Sequence, residues 1–157
     1  MALIPAAGMG TRLGLGPKCL LPIGNQSVLS ILISKLCLLV DDILIAAPPG
    51  YEAQVKSQVG KRHKVLTGGA TRQHSIALML AECSADLVLI QDAARPFASV
   101  SLFANVIAAA RSHHAAGAFL DPKVPVGHLE NELVSNFLSR EEAGIFQAPQ
   151  AFSRELL

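Results

Sequence analysis

Charge is scarce in this 157-residue sequence, where 13 Lys and Arg stand against 12 Asp and Glu for a formal net charge of +1. So neutral a chain has no global field to draw it to nucleic acid or to an anionic membrane surface, and any anion it binds must be met locally. Its three cysteines, Cys19, Cys37 and Cys83, lie far apart with no CxxC spacing. That argues against a zinc site and against a full disulfide framework, and it suits a reducing cytoplasm. The chain does not open with a basic region, an apolar stretch and a small-residue cleavage site, so no export or transit signal is expected. Its greasiest stretch, residues 28–40, is broken by Ser30, Ser34 and Lys35 and is too short to cross a bilayer. A buried or interface helix is the expectation there. What the sequence has in quantity is apolar material, 51% of residues, enough for the core of a single domain.

Neither a repeat nor a low-complexity tract interrupts the chain. Short apolar runs, at Leu3-Ile4 and at residues 42–47, 64–66, 87–90 and 118–120, alternate with helical patterns at 28–40, 72–83 and 102–114. Ser99 or Ser101 could cap the last helix. This alternation predicts an α/β fold, an open, mostly parallel, Rossmann-like sheet whose strands are buried on both faces by helices. Sheets of that kind bind ligands at the carboxyl ends of their strands.

Three segments sit at such ends. The first run leads into Ala6-Ala7-Gly8-Met9-Gly10-Thr11-Arg12-Leu13, followed by Pro17 and Lys18. Small residues allow close backbone approach, consecutive N–H groups form a nest for anions, and Arg12 and Lys18 add charge suited to a triphosphate. Read alone, the segment is equally a glycine-rich surface turn with two solvated cations. Neither the Walker spacing GxxxxGK[ST] nor the third glycine of a dinucleotide fingerprint is present. Gly68-Gly69-Ala70-Thr71-Arg72-Gln73-His74-Ser75 opens the second helix and places Arg72 and Ser75 in its first turn, where free N–H groups suit a nucleotide. An ordinary strand-to-helix turn would look the same. Asp92-Ala93-Ala94-Arg95-Pro96 follows the most apolar run. Asp92 could hold Mg²⁺ against phosphates and Arg95 could fork onto one, or the two could form a structural pair.

Taken in order, these three segments together with Gln147-Ala148-Pro149-Gln150-Ala151-Phe152 resemble the motif series of the 2-C-methyl-D-erythritol 4-phosphate cytidylyltransferases, across nearly the whole chain. The resemblance implies transfer of a cytidylyl group from CTP to a polyol phosphate with Mg²⁺ present. It assigns Ala6, Ala7, Gly8 and Gly10 to the nucleotide and Arg12 and Lys18 to its phosphates and the pentacoordinate α-phosphorus. Gly69 and Ser75 would face the cytosine and ribose, Arg72 would support their loop, and Asp92 would hold the metal. Arg95 would hold the substrate phosphate. Arg140 would reach a neighbouring subunit's site in a homodimer joined by an arm at residues 122–145. The expected partners are small molecules and a second copy, not nucleic acid or membrane.

The chain also departs from the pattern. Pro122 to His128 stand where the family has Asp-Thr, Gln91 replaces a usual His, and Ala148 a usual Thr. Set against the family, the domain is expected to be C-terminally incomplete, with a last strand and helix, an acidic metal ligand and a lysine lying beyond Leu157, and its first strand clipped. Ribitol 5-phosphate cytidylyltransferases share these motifs, and Gly10-Thr11-Arg12-Leu13 with Pro17-Lys18 also resembles the sugar 1-phosphate nucleotidylyltransferases. A non-catalytic nucleotide-binding remnant is the alternative from another class. His113-His114 are expected to do no more than favour a helix end electrostatically.

Overall fold

A computed structural model describes residues 1–11 and 13–157. The chain opens on strand β1 (Ala2–Pro5), and the two-residue strands β2 (Pro22–Ile23) and β3 (Gln26–Ser27) form a small hairpin ahead of helix α1 (Val28–Leu36). A reciprocal cap starts α1: Ser27 Oγ accepts from the Ser30 N–H at 3.1 Å and Ser30 Oγ accepts from the Ser27 N–H at 2.9 Å. Val28, Leu29, Leu32, Ile33 and Leu36 make its buried stripe. The helix stops at Leu36, short of the residue 40 that hydropathy suggests, and residues 37–39 form a turn.

Then come β4 (Ile43–Ala47), buried throughout, α2 (Glu52–Val59), β5 (Lys64–Thr67), α3 (Arg72–Ala81), β6 (Leu87–Ile90), α4 (Val100–His113) and β7 (Ala115–Leu120). Strands β8 (Val126–Glu130) and β9 (Leu133–Leu138) pair with each other as a separate antiparallel hairpin, and β10 (Ile145–Ser153) closes the series. Six strands form one sheet in the order β5-β4-β1-β6-β10-β7. Neighbours β5, β4, β1 and β6 are parallel, whereas β10 runs antiparallel to both β6 and β7.

Pleating sorts the core into two layers. Ala2, Ile4, Ile43 and Ile45 face α1, α2 and α4, whose Leu32, Val55 and Phe103 close over them. Leu3, Leu44, Val88 and Ile90 face the opposite way, onto Met79 of α3. No helix among the described residues is long and apolar enough to cross a membrane.

Among the elements that escape the hydropathy pattern are α2 and β10. Helix α2 buries only Val55 and Val59, one turn apart, too thin a stripe to register as amphipathic. Strand β10 carries Pro149, which removes a ladder donor and argues against a central strand. The sheet accommodates it with a register shift between Gln147 and Gln150, where Ala148-Pro149 is a cis peptide.

Candidate active site

Strand order reverses at β1, which has β4 on one side and β6 on the other. In an open α/β sheet the loops leaving the carboxyl ends of such strands diverge and leave a crevice between them. Here the crevice is a cleft of about 580 Å³ lined by Pro5 to Ala6, Gly8 to Thr11, Lys18 and Cys19 from the β1 side, and by Asp92 to Arg95 from the β6 side. Arg72, at the start of α3, reaches in from the second loop. A smaller adjoining cleft of about 250 Å³ is lined by Pro5, Ala7, Gly8, Gly69, Ala70, Thr71, Arg72 and Ser75. The three loops read from the sequence therefore meet at one place.

Glycine makes this meeting possible. Gly10 has φ +64°, and a Cβ on it would lie 2.1 Å from the Gly16 carbonyl oxygen. A Cβ on Gly68 would lie 2.2 Å from that of Ala7, so the first and second loops touch only because Gly68 has no side chain. The second loop is held from below. Gly69 N–H donates to Ser75 Oγ at 3.0 Å, and the Ser75 hydroxyl donates to the Thr71 carbonyl at 3.0 Å. Ser75 is buried, lines the smaller cleft, and engages its hydroxyl with its own loop. Thr71, not singled out in the sequence, caps α3 by accepting from the His74 N–H at 3.0 Å.

Asp92 is the one carboxylate among the described residues lining the cleft. Arg72 meets its Oδ1 through Nε and a terminal nitrogen, each at 3.0 Å, and Arg95 Nε stands 3.8 Å from Oδ2. Arg72 thus spans the cleft to Asp92, a partner beyond the loop it was expected to support. Both guanidinium groups are nearly half exposed, so these pairs are weak and exchangeable. Lys18 is half-buried and makes no ion pair among the described residues. Its neighbour Cys19, also unforeseen, is buried, and burial pushes its thiol up from the ordinary value. A thiol so held stays neutral and is a poor nucleophile. The described cleft is lined by cations, a glycine-containing loop and one carboxylate, chemistry suited to phosphates.

Arg12 lies outside the described residues. Arg140 is exposed in the turn after β9 and lines neither cleft of its own chain. The β8–β9 hairpin presents Leu129, Leu133, Val134 and Phe137, each more than half exposed.

A model of the family described as 2-C-methyl-D-erythritol 4-phosphate cytidylyltransferase (IspD) matches residues 1–157. The chain is 39% identical over 155 residues to the protein of that name from Thermus thermophilus, covering 99% of this chain and 70% of the relative. It is 36% identical over 156 residues to the one from Deinococcus radiodurans, covering 99% and 66%; it therefore spans about two thirds of the length of these relatives. Among solved structures, the Thermus thermophilus enzyme superimposes with a TM-score of 0.77 at 35% identity over 99% of this chain and 70% of that one. The 4-diphosphocytidyl-2C-methyl-D-erythritol synthase of Anaerococcus prevotii superimposes with a TM-score of 0.87 at 28% identity, again over 99% and 70%. Matched from end to end by the family model and built around the loops that carry the family's motifs, the chain belongs to the 2-C-methyl-D-erythritol 4-phosphate cytidylyltransferase family.

Proposed function

We propose that this chain transfers a cytidylyl group from CTP to 2-C-methyl-D-erythritol 4-phosphate, releasing pyrophosphate and forming 4-diphosphocytidyl-2-C-methyl-D-erythritol for isoprenoid synthesis. One observation carries the reading: Lys18, Arg72, Arg95 and the glycine-rich loop converge on one cleft in a chain that the family model matches throughout. In the reaction a phosphate oxygen of the acceptor attacks the α-phosphorus of CTP, and the bond from that phosphorus to the bridging oxygen of pyrophosphate breaks. An ionised phosphate needs no general base, so catalysis is alignment plus neutralisation of charge. Ala6, Ala7, Gly8 and Gly10 would wrap the triphosphate, Arg12 and Lys18 would stabilise the crowded phosphorus, and the Gly69 loop, braced by Ser75, would receive the nucleoside.

Arg95 would take the acceptor phosphate and Arg72 a phosphate of the nucleotide. Each leaves Asp92 as it does so, because a doubly charged phosphate is the stronger partner for a half-exposed guanidinium. Asp92 is then free for Mg²⁺. A single carboxylate fits that ion when phosphate oxygens and water supply the remaining ligands, and the ion would supply further charge neutralisation. The exposed β8–β9 hairpin suits a homodimer in which Arg140 of one copy reaches the cleft of the other. Three free thiols suit a cytoplasmic setting.

Pyrophosphate release from CTP, ATP and GTP, each with 2-C-methyl-D-erythritol 4-phosphate or ribitol 5-phosphate, tests the assignment. Turnover is expected with CTP and the methylerythritol phosphate. Faster turnover of ribitol 5-phosphate would reassign the acceptor, and binding of CTP without turnover of any acceptor would reduce the chain to a nucleotide-binding remnant.

A further inference from the structure

The loop bearing Asp92 and Arg95 is fixed less by its own short turn than by two side chains from outside it. Gln91 is wholly buried at the end of β6, and its Nε2 donates to the carbonyls of Asp92 and Arg95, each at 3.2 Å. The Arg95 N–H donates to the same Asp92 carbonyl at 3.1 Å. On the other side Lys35, in the last turn of α1, donates from Nζ to the carbonyls of Pro96 at 2.7 Å and Ala98 at 3.1 Å. Its ammonium also stands 6.0 Å from the centre of the Phe97 ring. Four carbonyls within seven residues are thus taken by two side chains, and Lys35 lies 61 residues from Pro96 in sequence.

We propose that Gln91 and Lys35 are positioning residues that clamp residues 92–98 and so set the reach of Arg95 and Asp92 into the cleft. Two features separate this from ordinary packing. Among the described residues Gln91 Oε1 is buried without a partner, so the amide carries a desolvation cost that an apolar side chain would avoid. Such a cost is sustained where a donor is needed at one point. Lys35, likewise, directs its charge to backbone carbonyls rather than to a carboxylate, so it fixes main-chain position without competing with Asp92 for the arginines. Neither side chain lines either cleft, so neither is expected to touch substrate.

The kinetic arm of the test rests on the activity proposed above; a second arm, amide exchange, does not. Lys35→Met, which keeps the aliphatic stem, and Gln91→Leu should each raise KM for 2-C-methyl-D-erythritol 4-phosphate by about tenfold, while the dissociation constant for CTP moves less than about twofold. Lys35→Arg and Gln91→His, which keep an N–H donor, should recover part of the loss. In the protein without substrates, Lys35→Met should speed hydrogen exchange of the Arg95 amide about tenfold and leave the Gly8 to Gly16 amides unchanged. Wild-type acceptor KM in both variants, measured where both are folded, would overturn the clamp. Should the wild-type chain not turn over, the activity falls and exchange alone decides: faster exchange at Arg95 upholds the clamp, and unchanged exchange refutes it.

Discussion

Gly10 sits under the carbonyl of Gly16 with a positive φ, and both facts bear on one substitution. Gly10→Ala would place a methyl 2.1 Å from that oxygen at φ +64°, so the loop must move, with about 1 kcal/mol of backbone strain besides. CTP affinity is expected to fall by roughly tenfold or more, with a small change in melting temperature because the loop is largely exposed; titration calorimetry and thermal unfolding give the two readings. His63 makes a different prediction. It is buried, its Nδ1 has no partner among the described residues, and its Nε2 lies 3.4 Å from Cys37 Sγ. Burial first, then Arg62 and Lys56, hold its pKa below the ordinary 6.5. The unfolded chain therefore binds the proton more readily than the folded one. The stability this contributes is complete above about pH 6.5 and is lost as pH falls through the depressed folded value. Urea unfolding at pH 7.5 and 5.5 should show a loss in the wild type that shrinks in His63→Gln; equal losses in both would exclude His63 as a source of acid sensitivity.

The elements that carry the cleft were the easiest to find from sequence, and the reason is physical. Strands β1 and β6 are buried on both faces and so read as unbroken apolar runs, and their loops need glycine, proline and charge at close spacing. Helix α4 was foreseen too, with Ser99 or Ser101 as its cap. Ser99 is the one used, accepting from the Leu102 N–H at 3.1 Å. Ser99→Ala should cost about 1 kcal/mol, measurable by denaturant unfolding, whereas Ser101→Ala should cost less than half of that. What stayed hidden was of other kinds. Helix α2 has two buried residues, β10 contains a proline that a sheet normally rejects, and the hold of Lys35 on Pro96 joins segments with no local relation in sequence. The bonds of Ser75 to Gly69 and Thr71 are hidden for a related reason, since no spacing rule tells a hydroxyl facing a ligand from one bonded to its own backbone.

For the whole molecule the β8–β9 hairpin is the outlying part, because among the described residues its strands pair only with each other and it exposes four large apolar side chains. An isologous contact would bury each of them twice. Phe137→Asp should therefore weaken self-association by about 3 kcal/mol over the two copies, roughly a hundredfold in dissociation constant. Sedimentation velocity across a concentration series would detect this. A wild-type chain that stays monomeric at the highest concentration would end the proposal of an arm-joined dimer. Strand β10 has a consequence of another sort, felt while the protein is being made. It lies between β6 and β7 although it follows both in the chain. A polypeptide emerging from the ribosome can set β1, β4, β5 and β6 side by side with their cleft loops. One edge of β6, Leu87–Ile90, then stays open until Ile145–Ser153 has been released. For the time needed to synthesise those intervening residues the nascent chain carries an apolar strand with unpaired N–H and C=O groups. That edge is where another nascent chain can pair by mistake.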